Sequence, residues 1–405
     1  MPGDARDVGR ILEDAVQEAD RGPLDGLVVA DFSRVLAGPL ASMFLADLGA
    51  TVVKVERPGT GDDTRAWGPP YAGSTSTYFT SVNRNKYSIA LELSDRADLA
   101  VARELVRRAD VLLENFRPGR LGEFGLDWAG ASGLNRGLVY CSISGFGGGA
   151  GADRPGYDFV VQAVGGLMSI TGQPDGEPTK VGVALVDVLT GLHATIGVQA
   201  ALHERARTGL GQLVEVNLLS SLLASMVNQG AAYLNGAGVP TAMGNRHPSI
   251  APYETLATKD RPLAVAIGND RQFRVFAAAL GRPELADDPR FSTNRARVAN
   301  RPQLVAELEG VLRQETAAAW SRRLHDVGVP CGAVNSLAEA FDLAARLGLD
   351  PVARFDADGD AEAVATLANP VRLSANPVRY RRRPPALGAD SAAVRRWLAG
   401  QAPLR

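Results

Sequence analysis

The chain is poor in the residues from which metal and redox sites are built. It has two cysteines, Cys141 and Cys331, far apart and each inside an apolar stretch. They read as small core side chains kept reduced, not as a disulfide or zinc framework. The histidines, His193, His203, His247 and His325, show no HExxH-type spacing, so no metal centre is expected. Lysine is scarce as well, with Lys54, Lys86, Lys180 and Lys259 the only ones. A formal net charge of −2 and a pI near 6.2 leave no electrostatic footprint for nucleic acid. There is no GxxxxGK[ST] phosphate loop and no GxSxG nucleophile elbow. No uncharged apolar run reaches membrane-spanning length. The first 23 residues carry Asp4, Asp7, Glu13 and Asp14 and lack the apolar centre of a signal peptide. Val8, Ile11, Leu12, Ala15, Val16 and Ala19 predict a short amphipathic helix there. The chain is expected to be soluble and cytoplasmic, with no nucleic-acid or membrane partner.

What is present is globular composition on a long chain: 405 residues, 45% hydrophobic and 22% charged, too long for one ordinary core. From residue 26 strand and helix alternate. Leu27–Ala30, Thr51–Val55, Ser88–Leu93, Val111–Leu113 and Leu138–Ile143 read as strands. Helices follow at Ala37–Leu48 and from the Ser94-Asp95 cap to about Ala109. This pattern predicts an α/β fold with a parallel sheet covered on both faces. Ligands then bind at the carboxyl ends of the strands, near Phe32-Ser33-Arg34, Glu56-Arg57, Glu114-Asn115-Phe116 and Ser144-Gly145-Phe146. A long helix is expected from Leu185 to about Ala206, then a strand at Leu213–Val216 and a helix to about Leu234. Gly236–Pro252 reads as a crossing into a second unit. A hairpin (Tyr253–Thr258, Leu263–Ile267), three helices up to Val327 and a strand-like run at Val329–Val334 are expected there.

The most informative residue is Asp187, a single carboxylate in Val183–Gly191 with no lysine or arginine within six positions. A helix that buries Leu185, Val186, Val188 and Leu189 must pair, hydrogen-bond or neutralise that charge. A dry carboxylate without a fixed cation is also what a covalent acyl carrier requires. Arg57, at a strand's carboxyl end, is placed either to grip a phosphate or to pair with Asp62 or Asp63. Asn115-Phe116-Arg117 offers amide, aromatic face and guanidinium to an adenine or phosphate, or anchors a loop. Trp67 is either a lid against a ligand or packing beneath a long loop. Gly145–Ala150 loosely matches a dinucleotide fingerprint, but Pro155 leaves no room for a helix opening at those glycines.

Together these segments resemble the class III CoA-transferases, the family of formyl-CoA transferase, carnitine CoA-transferase and alpha-methylacyl-CoA racemase. The carrying stretches are Asp31–Pro39, Ala46–Ala50, Val53–Gly59, Gly61–Arg65, Asn83–Lys86, Glu114–Gly119, Arg154–Asp158, Asp187 with Thr190-Gly191, Gly244–Tyr253 and Gly268–Phe273. The resemblance implies a Rossmann-like parallel-sheet large domain, residues 24–224 with 335–405, and a smaller α+β domain over 225–334. Residues 1–23 would be an extension, and two subunits would interlock as a homodimer. It implies that Asp187 carries the acyl group and then CoA. CoA is then substrate and product, not a permanently bound cofactor. It places CoA around Arg34, Leu36, Ala37, Arg57, Leu91, Asn115, Phe116, Arg117 and Tyr157.

Gly61–Pro70 most resembles members that act on glutarate, so succinyl-CoA as donor and a dicarboxylate as acceptor are expected. Trp67 and His247 are the substrate candidates. His247 would anchor a distal carboxylate, or else be a loop histidine bonded to backbone near Pro248. Formyl-CoA transferases carry four glycines where Met243–His247 stands here, which disfavours formyl-CoA and oxalate. Racemases carry histidine where Tyr157 precedes Asp158, and a phenol is a poor acid–base partner at neutral pH. Racemisation of a 2-methylacyl-CoA and non-catalytic CoA binding are the alternative functions.

Overall fold

A computed structural model describes residues 22–357, 362–401, 403 and 404. The helix predicted within the first 23 residues lies outside the described residues. By contacts the chain divides into two compact units. The first runs up to Gly165 and takes in Gly182–Leu234 and the chain from Asp350 onward; the second is Gly166–Val181 with Asn235–Leu349. These borders differ from the expected ones at 224/225 and 334/335. Helix Val227–Leu234 packs on Leu218–Ser225 and so stays with the first unit. Gly166–Val181 is tied to the second unit by Gly244 N–H donating to Gly172 O. Helix Leu337–Arg346 is tied there by the Arg261–Glu339 ion pair.

The first unit is built on a six-stranded parallel sheet: β1 Val28–Asp31, β2 Thr51–Glu56, β3 Lys86–Ala90, β4 Val111–Glu114, β5 Val139–Ser144 and β6 Leu213–Asn217. Its order is β3-β2-β1-β4-β5-β6, parallel throughout. Val29, Val52, Val53, Ile89, Leu112, Leu113 and Val139 are all buried, because a parallel sheet between two helical layers hides both faces. The third strand begins at Lys86, earlier than the expected Ser88. The early start follows from a lysine that is wholly buried and ion-paired, so its charge does not mark an exposed end. The helix expected up to Leu234 is two, Leu218–Ser225 and Val227–Leu234, broken where Val227 takes a φ of 37°.

Helix Leu185–Thr208 is long and apolar enough, by length and composition, to cross a membrane. Its packing against helix Ala37–Asp47, β5, β6 and Leu218–Ser225 gives that composition a place inside the first unit.

The second unit holds the expected hairpin, Tyr253–Leu256 against Leu263–Ala266, extended by antiparallel Cys331–Ala333. Helices Asp270–Ala279, Asn294–Ala299, Arg301–Leu312 and Ala317–Asp326 accompany it, where three were expected. Phe273, Phe276, Leu304, Leu308 and Trp320 form their shared core.

Candidate active site

The order of the main sheet reverses between β1 and β4, and a crevice opens outside the carboxyl ends of such a strand pair. One side chain bridges it. Asn115 Oδ1 accepts from Arg34 N–H at 2.8 Å and its Nδ2 donates to Arg34 O at 2.7 Å. Behind Asn115, the Glu114 carboxylate accepts Phe116 N–H at 2.8 Å, and burial lifts its pKa to about 6. On the β1 side the next residue, Val35, has φ 70°, a left-handed conformation that is costly for a β-branched side chain. Both oxygens of Asp62 accept from Val35 N–H at 3.3 Å, and Asp62 in turn is held by the buried Lys54 ammonium at 2.9 Å. Main chain here is therefore positioned by a buried ion pair.

A cavity of about 370 Å³ fills the crevice, and Asp187 lines it with Arg34, Leu36, Ala37, Asn115 and Tyr157. Asp187 sits in the first turn of helix Leu185–Thr208, 8% exposed. The N-cap position is Ala184, which has no side chain to satisfy the first N–H groups. The cap comes from elsewhere in the chain. Asp158 Oδ1 accepts from Val186 N–H at 2.7 Å and from Asp187 N–H at 3.2 Å. Burial, and then the Asp158 charge, push the Asp187 carboxyl up to about 7. Tyr78 faces the same pair. Burial first, then Asp187, Asp158 and Asp62, raise its phenol to about 12, so it stays a neutral hydroxyl. Trp67 meets Tyr78 edge-on at 5.2 Å. The long-loop tryptophan thus packs on Tyr78.

A second cavity, about 390 Å³, is lined by Arg34, Arg57, Leu91, Phe116, Arg117 and Arg120, among others. Arg34, Phe116 and Arg117 line both cavities. Asp62 pairs with Lys54 and Asp63 with Arg34, so neither takes Arg57. Among the described residues the Arg57 guanidinium has no ion-pair partner. Arg34 stacks over Phe116 at 5.7 Å, and its Nε is buried without a hydrogen bond among the described residues. Arg117 pairs with Asp153 across the rim of the first cavity.

The expected CoA residues and Asp187 thus gather around two cavities of the first unit. His247 belongs to the second unit, where its Nδ1 accepts Ser249 N–H at 3.1 Å and its ring tilts against Tyr253. That bond ties Nδ1 to the backbone beside Pro248. Sequence reasoning missed Asp158, Tyr78 and the Lys54–Asp62 pair. Asp158 did carry a signal, a carboxylate opening a helix after Pro155-Gly156, but its partners stand 28 and 29 residues away.

A family model described as CoA-transferase family III matches residues 24–391. Succinate–glutarate CoA-transferase of Agrobacterium fabrum is 42% identical over 388 residues, covering 92% of this chain and 94% of that protein. Acetyl-CoA:oxalate CoA-transferase of Acetobacter aceti is 44% identical over 325 residues, covering 80% of this chain and 83% of that protein. Among solved structures, a CAIB/BAIF family protein from Brucella suis superposes with a TM-score of 0.82 at 42% identity, covering 93% of this chain and 100% of that one.

Proposed function

This chain belongs to CoA-transferase family III, and we propose that it moves CoA between an acyl-CoA and a free carboxylate through covalent intermediates on Asp187. The observation that carries this reading is a cavity-lining carboxylate, almost wholly buried, that bears the like charge of a second carboxylate, Asp158. A carboxylate forms both a mixed anhydride and a thioester. Asp187 attacks the donor's thioester carbonyl; the C–S bond breaks and CoA leaves as thiolate. The thiolate then attacks the Asp187 acyl carbon, releasing the donor as a carboxylate and leaving an aspartyl-CoA thioester. The acceptor carboxylate attacks that thioester, the thiolate leaves again, and its attack on the acceptor's acyl carbon gives the new acyl-CoA and free Asp187.

Two features support this course. An anhydride needs water kept away, which the burial of Asp187 favours. Each oxyanion needs donors, and the first turn of helix Ala37–Asp47, with no side-chain cap at Leu36, opens on the same cavity. CoA would run from the Asp187 cavity into the second one, its phosphates meeting Arg57 and Arg117.

The likeness to glutarate-named relatives supports succinyl-CoA as donor and a dicarboxylate as acceptor. Arg34, with a buried and unbonded Nε, is the cavity cation suited to the distal carboxylate. A homodimer is supported by exposed Phe159, Val160, Val164, Leu192, Ile196 and Leu223 on three mutually packed helices; a light-scattering mass checks it.

Replacing Asp187 with Ala should abolish transfer, by about 10³-fold or more, while CoA binding persists. Mass spectrometry of enzyme quenched in turnover should find the adduct on Asp187. Turnover by the alanine variant would overturn the mechanism. A panel of free acids against succinyl-CoA tests the acceptor: transfer to oxalate but not to glutarate would replace the substrate reading and leave the mechanism standing.

A further inference from the structure

A carboxylate in the first turn of a 24-residue helix is normally an easy anion, because the helix dipole and the free N–H groups stabilise it. Asp187 is the reverse, and the geometry around Asp158 explains why. Asp158 is 9% exposed and both its carboxylate oxygens are engaged. One oxygen takes Val186 N–H and Asp187 N–H; the other takes Gln162 Nε2 at 2.6 Å from one turn along its own helix, Asp158–Val164. The donors that would have quieted Asp187 are thus occupied by its neighbour.

On the reading that Asp187 is the acyl carrier, we propose that Asp158 is a positioning residue that fixes the first turn bearing Asp187 and holds a second negative charge against it. The consequence is chemical. Free Asp187 places two carboxylates side by side, whereas acylated Asp187 is neutral. Each covalent intermediate therefore relieves a repulsion, which favours attack by Asp187 and the population of the aspartyl forms. No atom of Asp158 is transferred.

The other groups that bear on Asp187 do not duplicate this role. Tyr78 faces it as a neutral phenol. On the cavity wall, Arg34 is paired with Asp63 and Arg117 with Asp153, and Arg154 and Tyr157 complete it. Helix Ala37–Asp47 contributes Asp47, already ion-paired with Arg84, and β6 contributes Glu215. His193 lies on the Asp187 helix itself, past the first turn.

The test is Asp158→Asn, which keeps an oxygen for the two N–H groups and removes the charge. Wild-type kcat/KM should rise with pH through an inflection near 7, the Asp187 carboxyl. In the variant that inflection should fall by about one pH unit, and kcat at pH 8 by roughly 10- to 100-fold, with the KM for the acyl-CoA donor little changed. The fraction of enzyme trapped as aspartyl-CoA should fall with it. Asp158→Glu, which keeps the charge on a longer arm, should lose turnover yet hold the inflection near 7. An inflection and a trapped fraction unmoved in Asp158→Asn would overturn the inference and leave Asp158 a helix cap. If Asp158→Asn does not fold, an inflection displaced in Asp158→Glu overturns it equally. Absence of any Asp187 adduct in the wild type would instead be the failure of the carrier reading itself.

Discussion

Two groups of buried carboxylates lie in the first unit, and the fold treats them in opposite ways. At the ends of β1 and β2, Asp31, Glu56 and Asp62 are met by Lys86, Arg65 and Lys54. Lys86 Nζ donates to Asp31 Oδ2 at 3.1 Å, Pro39 O at 2.9 Å and Asn83 Oδ1 at 2.9 Å. Burial pushes the Asp31 carboxyl up, but Lys86, Lys54 and the Ser33 and Ser42 hydroxyls outweigh it and bring it to about 2. At the start of helix Leu185–Thr208, Asp187 is met by Asp158, and burial and like charge lift it to about 7. The strand-end carboxylates are each met by a cation, whereas Asp187 is met by a like charge. Burial is common to both, so the sign of the neighbour sets the difference between them.

The contrast breaks most visibly if a cation is removed from the first group. Lys86→Met leaves Asp31 buried and unpaired and should destabilise the protein by about 3–5 kcal/mol in urea titration. A loss below about 1 kcal/mol would mean that the serines satisfy Asp31 by themselves.

A third kind of charge sharpens the comparison, a cation with no ion-pair partner among the described residues. Arg57 lines the second cavity, and Arg57→Ala should weaken CoA binding by about 1.5–3 kcal/mol by calorimetry. The loss should be smaller for dephospho-CoA if the 3′-phosphate is its contact. Unchanged affinity would remove Arg57 from the CoA site.

The smallest effect expected is a gain. The Asp187 carboxyl is raised in the folded state, so the native protein holds that proton longer than the unfolded chain does. Stability therefore falls as pH rises from the unfolded value near 4 to the folded value near 7. Above that the deficit is constant. Asp187→Asn should thus be neutral at pH 4 and more stable than wild type by about 1–2 kcal/mol at pH 8, by denaturant midpoints at both pH values. Equal midpoints at pH 8 would show that Asp187 is not strained as an anion.

Much of this was readable in the sequence. Strand–helix alternation gives five of the six main strands before the long helix, because parallel strands are apolar runs and need no distant information. Asp187 stands out because no local cation accompanies it. The ion-pair network was not readable, since Asp31 and Lys86 are 55 residues apart and Lys54 and Asp62 look like ordinary surface charge. Yet lysine is so scarce that two of its four occurrences falling in this region was a usable signal. Asp158 stayed hidden because its cap is tertiary. For His247 the sequence left two readings open, and the Ser249 N–H on its ring is the backbone bond that one of them expected.

The left-handed Val35 has a consequence for how this site changes over time. A wall made of main chain, locked by Lys54 and Asp62 from beneath, keeps its shape whatever side chains are exchanged in front of it. Substitutions at cavity positions such as Arg34 or Tyr157 then change what the cavity presents without Asp187 losing its setting. Proteins named for glutarate and for oxalate, both more than 40% identical to this chain, are what such a division between a fixed frame and replaceable facing would leave behind.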